Sequence, residues 1–113
     1  TEGGLATAIE ELAIAGGHGI SIRMEAIPVF PETRQLGEAL GIDPLGLIGS
    51  GSLVICCCGA SAEALVKNIQ AAGIVITEIG EVTGKGEGVS ATNQGAPALW
   101  PRFDVDELTR LFQ

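Results

Sequence analysis

Two glycines stand directly before an apolar helical pattern in the opening stretch TEGGLATAIEEL. Glycines at a helix N-terminus let a phosphate approach the free backbone N–H groups, and the helix dipole favours its negative charge. Thr1 could add a hydroxyl, and Glu2 could help to hold a metal or to position a nucleophile. Gly3 and Gly4 are therefore candidates for phosphate contact, with a tight entry turn to the helix as the alternative reading.

Three consecutive cysteines, Cys56 to Cys58, are the most conspicuous nucleophiles in the chain. A zinc site needs spaced ligands, and His18 is the only histidine available to help. A catalytic thiol needs a base and an electropositive setting. Because the triplet ends the apolar run SLVICCC, we predict a central strand buried on both faces, in which the thiols pack as small hydrophobic groups.

Neighbouring residues on a strand point to opposite faces, so adjacent cysteines do not bridge without strain. The triplet therefore indicates free thiols and a reducing, cytoplasmic compartment.

The remaining polar residues have simpler explanations. His18 follows a helix end, where the dipole favours a protonated ring, so we predict a surface or capping role. Asp43 precedes Pro44, which is typical of a helix N-cap. Acids are favoured in the first turn of a helix, which argues against a metal site at the start of the last one. Those acids are Asp104, Asp106 and Glu107.

The stretch GKGEGVSATNQG has glycines at alternate positions, but it has neither Walker nor Rossmann spacing. Its length and composition predict a mobile loop or a loose hairpin over 83–96.

The elements that must position these residues alternate between helix and strand. Two helices are expected to be capped by Ser61 and Asp104. The predicted order is helix (5–16), strand (18–25), helix (31–40), a helix start (43–44), strand (52–58), helix (61–73), strand (74–82), strand (98–100) and helix (104–112). This order predicts one α/β (α+β) domain over residues 1–113, with a mixed sheet.

Composition excludes several classes of partner. Lys and Arg number 6 and Asp and Glu number 14, which gives a net charge of −8. Such a domain repels phosphate backbones and anionic lipid surfaces, so we expect neither nucleic acid nor membrane as a partner. No apolar run approaches the roughly 18 residues that would span a bilayer.

The order of several short segments resembles the C-terminal domain of the AIR synthase-related (PurM-like) superfamily, and within it the HypE-like hydrogenase maturation group. The segments are T-x-GG-L before a helix, then IPV, G-x-DPL, G-x-LV and IGEV, within residues 1–82. The resemblance implies a three-layer α/β/α fold with partly ferredoxin-like topology. It also implies that the chain is a fragment, because the family motif usually places an Asp before the Thr that stands here at position 1.

The resemblance further implies a role beside a nucleotide. In the family, an N-terminal domain brings most of the Mg-ATP site and the dimer interface, and the C-terminal domain covers the cleft. Thr1, Glu2, Gly3 and Gly4 would face that cleft. The full-length protein would then use ATP and Mg²⁺ to phosphorylate an amide- or carboxamide-type oxygen, while the fragment alone would be inactive and would bind neither tightly. A homodimer and a maturation partner protein are expected on the same ground.

Two features leave alternatives open. HypE proper carries its carbamoyl group on a terminal cysteine, whereas this sequence ends PRFDVDELTRLFQ. Either that tail chemistry is missing or the substrate differs. A second hypothesis is a non-catalytic ligand-binding module that kept the fold, and a third is a docking domain that binds a partner protein through residues 103–112.

Overall fold

The structure is a computed structural model, and it describes residues 2–86 and 88–112. Three α-helices and four short strands make up most of the regular structure in this part of the chain. The helices are α1 (Gly4–Gly16), α2 (Pro31–Leu40) and α3 (Gly59–Ala71), and the strands are β1 (His18–Arg23), β2 (Gly80–Lys85), β3 (Val89–Asn93) and β4 (Ala96–Ala98). Short 3₁₀-helices span Met24–Ala26, Pro44–Gly46 and Glu107–Phe112.

The four strands form one mixed sheet in the order β2-β1-β3-β4. β1 pairs antiparallel with β2 and parallel with β3, and β3 pairs antiparallel with β4. The predicted α/β domain with a mixed sheet is therefore confirmed.

The core lies between α1 and the sheet. Ile9 and Ala13 of α1 are buried with Ile20 and Ile22 of β1. The helix agrees with the predicted bounds to within one residue, and its C-cap is Gly17, whose φ of 68° suits a left-handed cap. Burial of these apolar side chains holds α1 against the sheet and so fixes the position of the start of α1 relative to β1.

Trp100 closes one side of this core. Its side chain packs against the core cluster, and its Nε1 donates a hydrogen bond of 3.1 Å to the carbonyl oxygen of Ala6. The chain after β4 is thereby tied to the first turn of α1.

The predicted buried strand over 52–58 is wrong. These residues lie outside the sheet, Leu53 is 82% exposed, and all three cysteines are exposed. The central place belongs to β1, which has a hydrogen-bonded neighbour on each side. An apolar run indicates that a segment tends to be buried, but it does not determine which segment of the chain forms the central strand of the sheet.

Three neighbouring predictions are also corrected. The strand over 74–82 begins only at Gly80. Most residues of the predicted loop or loose hairpin over 83–96 belong to β2, β3 and β4, and the hairpin alternative holds for β3 and β4, which pair antiparallel. Polar residues are tolerated there because β3 is a short strand with only Ala91 buried. Glu87 of that loop lies outside the described residues. Helix α3 begins at Gly59, so Ser61 lies inside it rather than capping it.

Candidate functional site

The glycine pair before α1 adopts a conformation that favours glycine. Gly3 is the N-cap residue with a φ of 82°, and Gly4 has a φ of 66°. Both are buried. A Cβ on Gly4 would overlap the carbonyl oxygens of Leu45 and Leu47, so the backbone of the Pro44–Gly46 turn lies directly against it. The predicted turn at a helix entry is present, with Glu2 exposed beside it, whereas Thr1 lies outside the described residues.

The anion at this helix start is one of the chain's own carboxylates. Asp106 Oδ2 accepts a hydrogen bond of 2.8 Å from the Gly3 N–H, and Oδ1 accepts one of 2.9 Å from the Leu108 N–H. Asp106 as a whole residue is only 6% exposed. The predicted attraction between the helix start and a negative group is therefore satisfied from inside the molecule.

The protonation of Asp106 follows from these contacts. Burial raises the pKa of the carboxyl, but the Leu108 and Gly3 N–H groups stabilise its charged form, and the pKa lies below its usual value. Asp106 is thus ionised at neutral pH and holds Gly3 as a charged acceptor.

Glu107 makes the matching contact with a second turn. Its Oε1 accepts a hydrogen bond of 2.9 Å from the Asp43 N–H and lies 3.5 Å from the Arg110 guanidinium. The Asp43 carboxylate in turn accepts from the Leu45 N–H at 3.0 Å, which confirms the predicted N-cap, although the element it caps is a single 3₁₀ turn.

The prediction of Asp104 as the cap of the last helix is wrong. Asp104 is exposed, and the element that follows is a 3₁₀-helix over Glu107–Phe112 in which Asp106 accepts from Leu108. Local sequence carries no signal that separates the two aspartates. The contact that distinguishes Asp106 is made with a glycine 103 positions away.

A cavity of about 320 Å³ opens beside the glycine pair. Two carboxylates and several apolar side chains surround it. The lining residues are Glu2, Ile48, Asp106, Leu108, Thr109 and Phe112. The lining residues include no cationic side chain, and an acidic and apolar lining does not favour a free phosphate. Of the predicted site residues, Glu2 lines the cavity, and Gly3 and Gly4 follow it in the chain.

The other candidate residues lie away from this cavity. Cys56 to Cys58 are free and exposed, and no group of three or more metal-ligand side chains occurs among residues 2–86 and 88–112. His18 is exposed and its Nδ1 donates to the Gly16 carbonyl oxygen at 2.7 Å, which confirms the capping role. Within the described ranges, no helix has the length and apolar character needed to cross a membrane.

Comparison with known proteins identifies the domain. Residues 1–92 match the family model of the AIR synthase related protein, C-terminal domain. Carbamoyl dehydratase HypE of Cupriavidus necator is 42% identical over 66 residues, which cover 58% of this chain and 19% of that protein.

Solved structures agree with this match. The crystal structure of E. coli HypE, a hydrogenase maturation protein, covers 98% of this chain with a TM-score of 0.85 and 32% identity, and 36% of that chain is covered. HypE in complex with ATP gives a TM-score of 0.83 at 27% identity, covering 94% of this chain and 35% of that one. HypE in a HypE–HypF complex gives 0.82 at 27% identity, covering 91% and 34%.

The segments that align with the curated relatives span about a fifth of the length of those proteins, and the chain covers about a third of the HypE chains in the solved structures. The fold, the glycine pair before α1 and these similarities lead to one conclusion. The chain belongs to the family of AIR synthase related proteins, C-terminal domain, and it is similar to HypE.

Proposed function

We propose that this chain is the C-terminal domain of an ATP-dependent, HypE-like protein and that it covers one side of a Mg-ATP cleft. The observation that carries the proposal is the start of α1, where Glu2 lines a cavity and two buried left-handed glycines follow it, in a fold similar to that of HypE in complex with ATP. An N-terminal domain of the same protein, which would bring most of the nucleotide site, is the first partner proposed.

The reaction proposed for the whole protein is a phosphorylation that turns an oxygen into a leaving group. An amide-type oxygen attacks the γ-phosphorus of ATP, and ADP departs. The oxygen then leaves as inorganic phosphate while the nitrogen gives up its protons, so that a dehydrated product is formed. Binding and orientation of the reactants are the main contributions that a protein makes to such a transfer.

Within this scheme the loop Glu2–Gly4 acts by position and not through the Gly3 N–H. That N–H is already bonded to Asp106, so a phosphate cannot accept from it while the bond lasts. Glu2 is exposed at the cavity and is the side chain of the loop that is available to a ligand. Thr1 is proposed to face the same cleft on the family resemblance alone.

The described residues do not themselves fit a magnesium ion. Asp106 is a poor metal ligand because both carboxylate oxygens are engaged by backbone N–H groups. Glu2 alone falls short of the several oxygen ligands that Mg²⁺ takes. We therefore propose that the other domain holds the Mg²⁺ ion. We also propose a cytoplasmic location and a homodimer for the whole protein.

A titration of the isotope-labelled chain with Mg-ATP tests the proposal, followed through the amide signals of Gly4 and Leu5. Saturable shifts at millimolar nucleotide are expected there, and Glu2→Gln should change their midpoint. Glu11→Gln is the matched control, because Glu11 is an exposed acid further along α1. The same titration is then made on a protein that carries both domains. No shift in either protein would overturn the proposal.

A protein-docking role is the second candidate, and a specific exposure favours it. Val105 and Phe112 are 58% and 83% exposed on the segment after Trp100. Exposed apolar side chains on one short segment are typical of protein contact sites. We infer that a HypF-like maturation protein is the partner to test, since HypE forms such a complex. Phe112→Ser should weaken binding measured by calorimetry, whereas Leu99→Ser, at a residue 92% exposed elsewhere, should not. Equal binding by both variants would exclude this surface.

A further inference from the structure

Residues 103–112, here called the strap, are held by two consecutive acids that reach two different turns. Asp106 accepts from the Gly3 N–H at 2.8 Å and Glu107 from the Asp43 N–H at 2.9 Å. Each acid is 6% exposed. Because the two acids are neighbours in the chain, displacement of one backbone position moves both.

The strap crosses the Pro44–Gly46 turn at Gly46, where the absence of a side chain lets the two segments approach closely. A Cβ on Gly46 would lie 2.6 Å from the Cγ of Glu107 and 2.8 Å from the ring of Phe103. The same turn contacts both α1 and the 3₁₀-helix of the strap. The start of α1, the turn and the strap therefore form one continuous packed unit.

The strap has little else to hold it. Its helix is a short 3₁₀ segment, a type that is weak in isolation. Several of its apolar side chains are exposed to solvent. They are Val105 (58%), Leu108 (42%), Leu111 (47%) and Phe112 (83%). Attachment of the strap thus depends mainly on Asp106, Glu107 and the contact with Gly46.

We propose that the strap is a conformational device that docks and releases as one unit and that sets the Glu2–Gly4 loop through Asp106. While the strap is docked, the Gly3 N–H is occupied and the glycine pair is buried. When it is released, the Gly3 N–H is freed and a negative charge leaves its side. The device itself does not require a nucleotide. The meaning of a freed Gly3 N–H for nucleotide binding rests on the proposed function.

Amide hydrogen exchange on the isolated chain tests the device without any ligand. Asp106→Ala should speed exchange at Gly3 roughly tenfold or more, because a charge-assisted hydrogen bond is lost. If the strap moves as one unit, exchange at Asp43 should rise in the same variant, and Glu107→Ala should likewise expose Gly3.

Two controls separate release of the strap from other effects. Asp104→Ala removes an exposed acid from the same segment and should leave both amides unchanged. The Arg23 N–H, bonded at 2.8 Å to the Ile79 carbonyl oxygen, reports on the sheet and should keep its rate in every variant.

Acceleration only at the amide whose own acceptor was removed would overturn the proposal, since the two bonds would then be independent. Equal acceleration at Gly3, Asp43 and Arg23 would overturn it as well, because Asp106 would then support the whole fold. If the alanine variant fails to fold, Asp106→Asn keeps the shape and removes the charge, and the paired effect should persist at smaller size. None of these readings depends on the Mg-ATP titration.

Discussion

Gly3 and Gly4 are fixed by different neighbours, although both have left-handed backbones. Gly3 is held by a hydrogen bond to a charged group, whereas Gly4 is held by close packing against the carbonyl oxygens of Leu45 and Leu47. The sequence indicated a turn at this place and a negative partner for the helix start. It could not indicate that Asp106 is the partner, because nothing in the local pattern links residues so far apart.

Replacement of Gly4 by alanine should destabilise the chain by about 2 kcal/mol or more. A left-handed L-residue costs about 1–2 kcal/mol, and the overlap with two carbonyl oxygens adds to it. Gly17→Ala is the control, because Gly17 has a φ of 68° but open space around it. Urea unfolding of both variants measures the difference, and equal losses would show that packing at Gly4 contributes nothing.

Acid should weaken the folded chain in part through Asp106. Its pKa is lower in the folded state than in the unfolded state, where it is about 3.9. The contribution is therefore fully present above the unfolded value and is lost as pH falls through the folded value. Other ionisable groups lie near Asp106 or its neighbour Glu107 in the folded chain. They are Glu2, Asp43, Glu107 and Arg110.

Comparison of variants isolates the contribution of Asp106 from that of its neighbours. Between about pH 6 and pH 2.5, the midpoint temperature of thermal unfolding should fall less steeply with pH in Asp106→Asn than in the original chain. Asp104→Asn, at an exposed site, should keep the original slope. Identical slopes in all three proteins would contradict the lowered pKa.

At the scale of elements, the periodic segments were predicted best. α1, β1 and α2 follow the pattern of apolar residues, prolines and glycines, and their observed bounds agree closely with the expected ones. The middle of the chain was predicted less well. SLVICCC has the composition of a buried strand, yet strand formation requires a partner, and β1 finds its partners in β2 and β3.

The exposed cysteines give a direct test of this difference. In the native chain Cys56, Cys57 and Cys58 should all react with a thiol reagent at rates within about tenfold of those in the unfolded chain. The reason is that all three thiols are exposed, so folding does not block access of the reagent. A Cys57→Ser variant should lose one equivalent and keep the other two. Protection of the thiols in the native chain would restore the buried-strand prediction.

For the whole molecule, charge and exposed apolar surface act against each other. The net charge of −8 repels copies of the chain, whereas Leu53 and Val75 are 82% and 81% exposed. Repulsion between surface charges is screened by salt, with a Debye length of about 10 Å at 0.1 M. Self-association should therefore increase as salt is added.

Analytical ultracentrifugation at low and high salt measures this balance. Leu53→Lys should reduce association at high salt, because it removes exposed apolar surface as well as one unit of net negative charge. Gln70→Lys makes the same change of charge at an exposed polar position and is the matched control. If both variants associate alike, charge alone governs the behaviour of the chain.

The indole of Trp100 makes the molecule its own optical reporter. The chain has one tryptophan and no tyrosine, so its ultraviolet emission arises almost wholly from a ring that is half-buried against the core and bonded to the Ala6 carbonyl oxygen. Any rearrangement that pulls the segment after β4 away from α1 wets this ring and shifts its emission to longer wavelength. Rates of opening at this end of the domain are therefore readable by stopped-flow fluorescence without any attached label.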